Sequence, residues 1–207
     1  HWEFYVSSIQ QFSDNSVDAT LPHFEINYGL VPDVQVHLIA PMQYTKRESS
    51  KEYSYINTEL GVKYRFINNS DTSFQAGVFP IAEVPTGKKV TLAGENKLQV
   101  FLPLWIQINS GKFTSYGGAG YWINQGIGNK NWVFAGWQGQ YDFSETLTLG
   151  GELFYHTADA VDSDGGAGIN IGGYININEH NHILFSIGHS ITGTSSTTGY
   201  VGYQVTI

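Results

Sequence analysis

Cysteine is absent from the 207 residues, so neither a disulfide framework nor a thiolate metal site is available, and an oxidising compartment stays open to the chain. Long apolar runs are absent too. No stretch approaches the ~18 apolar residues that a spanning helix needs, which excludes helical membrane spans. Basic residues are scarce, 10 Lys+Arg against 18 Asp+Glu for a net charge of −8, and they form no cluster interleaved with aromatics. A nucleic-acid partner is therefore not expected. No shift in composition marks a linker, so residues 1–207 are read as one domain. The chain opens at His1 on polar and aromatic residues, without a basic stretch followed by an apolar one. An export signal is expected to have been removed or to precede the numbering.

What is present is 24 Gly, 5 Trp, 13 Tyr and 12 Phe beside only 14% charged residues. Aromatic and β-branched side chains fit pleated surfaces, and the chain reads as nearly all β. Its mean hydropathy of −0.19 would suit a soluble protein. A transmembrane barrel gives the same average, because only every second strand residue meets lipid.

Period-two alternation predicts about twelve strands of roughly ten residues, the length a tilted strand needs to cross a bilayer. They cover residues 2–10, 21–30, 34–43, 59–66, 72–82, 97–108, 113–123, 131–142, 147–157, 167–177, 182–191 and 198–207. In the second, Phe24, Ile26, Tyr28 and Leu30 alternate with His23, Glu25, Asn27 and Gly29. In the sixth, Leu98, Val100, Leu102, Leu104, Ile106 and Ile108 form one apolar face. The seventh holds Gly117, Gly118 and Gly120, which leave too few side chains to choose a face.

Short links at 31–33, 68–71, 109–112, 143–146 and 178–181 alternate with longer polar ones at 11–20, 45–55, 83–96, 124–130, 158–166 and 192–197. That asymmetry predicts a transmembrane antiparallel up-and-down β-barrel with short periplasmic turns, longer outer loops and both termini periplasmic. A soluble barrel also alternates, but it turns its apolar face inward and charge outward. Here one strand face carries nearly all the charge, a poor core but a workable wet lumen. Tyr44, Tyr64, Phe66, Tyr121, Trp122, Tyr141 and Phe143 fall near strand ends, as interfacial girdles do.

The stretches LPHFEINYG (21–29), TELGVKYRF (58–66), GVFPIAEVPTG (77–87), FLPLWIQ (101–107), YGGAGYWIN (116–124) and LTLGGELFYHT (147–157) run along almost the whole chain. Their pattern resembles a family of proteobacterial outer-membrane transporters similar to the phenol-degradation meta-pathway (MetA-type) outer-membrane proteins. The resemblance implies an outer-membrane barrel and suggests uptake of small organic, including aromatic, molecules. One departure concerns the last strand: Val201, Tyr203 and Val205 alternate correctly, but the final residue is Ile207 rather than an aromatic.

Charge at membrane depth must face water or a partner, so Glu25, Glu59, Lys63, Arg65 and Glu152, with His23, His37 and His156, are expected to line the lumen. They would form either a charged constriction that selects solutes or a plug in which the carboxylates neutralise Lys63 and Arg65. Phe101, Trp105 and Phe154 are expected beside them, filling volume or stacking on an apolar solute. A hydrolase would need a nucleophile that reaches its base. Ser186 and His189 lie three apart in a strand and point to opposite faces; His156 and Asp159 straddle a strand end with no fixed distance.

Residues 179–182 (EHNH) read as a solvated turn rather than a metal site, and Asp159, Asp162 and Asp164 as an acidic outer loop without a calcium-binding spacing. No cofactor motif is present. Lys46, Arg47, Lys51, Lys88 and Lys89 fall in predicted outer loops, where they would contact lipopolysaccharide phosphates. The expected function is passive passage of small solutes through a narrow charged lumen. The alternatives are a sealed structural or adhesive barrel acting through its outer loops, and an outer-membrane hydrolase. Oligomeric state is left open.

Overall fold

The computed structural model describes residues 1–92 and 94–207. Twelve antiparallel strands follow one another: β1 (Trp2–Ser13), β2 (Ser16–Val31), β3 (Val34–Arg47), β4 in two segments (Ser50–Tyr55 and Thr58–Asn69) and β5 in two segments (Phe74–Val78 and Ile81–Val84). Then come β6 (Gln99–Ser110), β7 (Phe113–Asn124), β8 (Trp132–Asp142), β9 (Leu147–His156), β10 (Gly166–Asn176), β11 (Asn181–Thr192) and β12 (Thr197–Thr206). Each pairs with its neighbours in sequence, and β1 pairs with β12 from Glu3 against Thr206 to Phe12 against Thr197. The sheet is therefore a closed barrel without a free edge, the form that a bilayer demands because it offers no water to unpaired backbone. Trp2 and Ile207 exchange backbone hydrogen bonds of 2.8 and 2.9 Å, which puts both chain ends at the rim with the short turns.

The predicted alternation sorts the wall into two faces. Among the described residues only Ile39, Ala76 and Phe101 are buried hydrophobic residues. A large set of apolar strand residues points outward: Ile171 is 62% and Ile187 64% exposed, with Leu60, Leu102, Leu104, Leu153 and Val201 on the same surface. A continuous apolar exterior of this extent has no place in water and defines a lipid-facing belt. Its short-turn border is aromatic, with Trp2 stacked on Tyr28 at 4.2 Å, Tyr64 beside Phe66, and Tyr141 beside Phe143.

Several elements differ from the sequence expectation. The links at 11–20 and 45–55 are not loops: β1 and β2 extend to a two-residue turn at 14–15, and β3 and β4 to another at 48–49. These segments are polar because they overshoot the apolar belt as paired strand. The predicted strand at 72–82 is broken at Phe79 and Pro80 and continues to Val84. Opposite the break on β6, Phe101 pairs with Ile81 and Leu104 with Val78, so Pro103 faces the gap. Neither proline has an N–H to give the ladder, and the strands part there. Trp122 is no girdle residue; it pairs with the inward Phe101 and stacks on it. The ambiguous seventh strand resolves with Tyr116 on the cavity side and Tyr121 exposed.

Candidate lumen site

On one side of the interior, β1 to β4 carry the acids. Glu25, Asn27, His37 and Glu59 form one hydrogen-bonded cluster across β2, β3 and β4. Asn27 Nδ2 donates to Glu25 Oε1 at 2.8 Å, which turns its Oδ1 toward His37 Nδ1 at 2.6 Å. His37 Nε2 meets Glu59 Oε1 at 2.8 Å. Both ring nitrogens thus face oxygen atoms of neighbouring strands. Glu3 extends the cluster by accepting from Tyr5, Asn27 and Gln35. His23 stands above it, within 3.3 Å of Thr20 Oγ1.

The two lumen cations do not neutralise these carboxylates. Arg65 reaches back to the short-turn rim, where its Nε donates to Asp33 Oδ1 at 2.7 Å and its Nη1 to Gln75. Lys63 lies over the Phe79 ring at 5.0 Å, forms no ion pair among the described residues and stays exposed to the lumen. Phe79, freed by the break in β5, also presents to the His37 ring at 5.1 Å. Alternation along the strand does not reveal this inward phenylalanine.

The opposite wall, β6 to β9, is aromatic. Phe101, Trp122 and Trp132 stack in a row with centroids 4.6 and 5.3 Å apart, and His156 meets the Trp132 edge. A second row nearer the short turns joins Trp105, Phe134 and Phe154. These rings lie flat because glycines sit beneath them. A Cβ on Gly120 would stand 2.3 Å from Phe101, one on Gly118 2.8 Å from Trp105, and one on Gly168 2.4 Å from Phe154. The predicted lumen aromatics thus cover the wall rather than cross the axis. Glu152 stands on this side and accepts from Asn170 Nδ2 at 2.9 Å.

The interior holds cavities of about 610 and 930 Å³, and Tyr116 and Gln140 line both. The larger reaches Glu3, Lys63, Arg65, Phe79, Phe101 and Trp105.

The other candidate constellations separate. Ser186 lines the smaller cavity, whereas His189 is exposed beside Thr197. His156 Nδ1 lies 3.2 Å from the Thr157 carbonyl oxygen, and Asp159 accepts from Ser163. In the 179–182 turn, His180 faces the Thr206 carbonyl and His182 faces Asn176. Arg47 pairs with Asp18 at 2.8 Å, and Lys88 binds Glu52, while Lys46, Lys51 and Lys89 are exposed.

Closed wall, apolar exterior and polar interior define a twelve-stranded outer-membrane β-barrel. Solved barrels of this kind cover nearly the whole chain. The COG4313 outer membrane channel from Pseudomonas putida F1 superposes with a TM-score of 0.79 over 99% of this chain and 94% of that one, at 11% identity. The KdgM porin in complex with disordered oligogalacturonate gives 0.67 over 98% and 99%, at 13% identity. The CymD monoaromatic hydrocarbon channel gives 0.56 over 100% and 88%, at 8% identity. These neighbours are outer-membrane channels, and at such identities the likeness establishes the fold. No protein-family model and no curated protein matches the sequence.

Proposed function

We propose that the chain is a passive outer-membrane channel for small organic solutes, oriented with the short turns and both termini toward the periplasm. The observation that carries this reading is the pair of cavities meeting at Tyr116 and Gln140, kept open because the aromatic side chains lie flat over glycines. A sealed barrel would spend the same rings on filling the axis. An aromatic wall facing an acidic one suits solutes with an apolar face and polar substituents, aromatic molecules among them. The likeness to channels, one of them named for monoaromatic hydrocarbons, supports the same reading. Glu25, Glu59 and His37, with Lys63 opposite Phe79, act as selectivity elements, and Arg65 braces the rim. Lys46, Lys51 and Lys89 remain for lipopolysaccharide phosphates. The test is osmotic swelling of proteoliposomes in neutral solutes of graded size. Swelling with the smaller solutes and not the larger is expected; no swelling with any, from an inserted barrel, would contradict the proposal.

A further inference from the structure

The two cavities differ in charge. The larger mixes Glu3 with Lys63 and Arg65, whereas the smaller has Glu152 as its only carboxylate and no Lys or Arg among the described residues on its wall. Three tyrosines, Tyr116, Tyr174 and Tyr200, line it with Glu152. Asn170 is locked beside the carboxylate: its Oδ1 accepts from Thr198 Oγ1 at 3.2 Å, which commits its Nδ2 to Glu152 Oε2. Glu152 Oε1 lies over Gly136, where an added Cβ would stand 3.3 Å from it and 3.4 Å from the Phe134 ring.

We propose that this cavity is a subsite for an organic ammonium, a protonated or quaternary amine on a small apolar body, in transit through the lumen. The inference rests on the channel reading above. Glu152 has no ion-pair partner among the described residues, and a carboxylate so placed in a cavity concentrates cations and repels anions. Tyrosine rings attract the same charge through their faces and accommodate the apolar body. A divalent metal would need several more oxygen ligands than one carboxylate supplies.

The experiment uses the purified barrel in planar bilayers, first in KCl and then under a gradient of benzyltrimethylammonium benzenesulfonate, a salt whose two ions are both aromatic and permanently charged. The reversal potential of the parent is expected to take the sign of cation preference. Glu152→Gln should weaken that preference roughly fivefold, the size expected for one charge about 4 Å away in water, and Glu152→Asp should retain it. Conduction in KCl with a potential of zero or anionic sign in the parent overturns the subsite whatever becomes of the variants. A cationic sign that Glu152→Gln leaves unchanged also overturns it. Absence of any current in KCl overturns the channel reading, and the subsite with it.

Discussion

At the scale of residues, His37 does the most with one side chain. It joins β2, β3 and β4 through Asn27 and Glu59, and it is buried in the wall. His37→Ala would leave Asn27 Oδ1 and Glu59 Oε1 without the ring that bridges them. Such a loss costs about 1–3 kcal/mol, to be read as a lower midpoint of urea unfolding in lipid. The glycines under the rings allow an equally direct check. Gly120→Ala forces its Cβ against Phe101, itself held in the stack with Trp122, and is expected to destabilise by about 1–3 kcal/mol. Gly151→Ala, whose Cβ would meet nothing nearer than 3.5 Å, should unfold like the parent. The inward placement of Glu25, Glu59 and Glu152 was legible in the sequence because a charge on an alternating strand has one tolerable side. Their partners were not legible. Arg65 finds Asp33 in the turn between β2 and β3, a contact set by register across strands rather than by spacing along one.

Among the elements, the link between β5 and β6 is tied to the overshooting part of β4. The Lys88 backbone N–H donates to the Tyr55 carbonyl, its ammonium binds Glu52, and the Leu92 N–H donates to the same carboxylate at 2.5 Å. Gly87 makes this approach possible, since a Cβ there would stand 2.2 Å from the Tyr55 oxygen. The hydrogen bond from Lys88 first, and that from Leu92 next, hold the Glu52 carboxyl below its usual range. A carboxyl lowered in the folded state stabilises its contacts above its unfolded pKa and loses that contribution as pH falls through the lowered value. Protection of the Leu92 amide in hydrogen exchange, corrected for intrinsic rate, is therefore expected to be full near neutrality and to fall in that acid range. Protection unchanged across it, or lost in Glu52→Gln only at the same acid pH, would contradict the tie. This link shows why sequence patterning stops short: polar strand that leaves the membrane looks like loop, as at 11–20 and 45–55. A break caused by Pro80 and Pro103 on different strands becomes visible only when the two are paired.

For the whole molecule, closure depends on β12 meeting β1, so deletion of residues 197–207 should leave two open edges and abolish the compact form. Loss of heat-modifiable migration on unboiled gels checks this, and compact migration by the shortened chain would contradict it. Strand number, topology and the inside-out sorting were legible because a barrel wall repeats one rule twelve times. The state of the lumen was not, since Phe79, Trp122 and Trp132 could be placed only once register was known. The lumen is proposed to conduct, with its charges governing what passes. Single-channel conductance of the purified protein tests it most directly, with the parent beside Glu59→Gln and Lys63→Gln. Steady current is predicted, with Glu59→Gln reducing and Lys63→Gln raising the preference for cations. Silence from a folded, inserted barrel, or current indifferent to both substitutions, would contradict the claim.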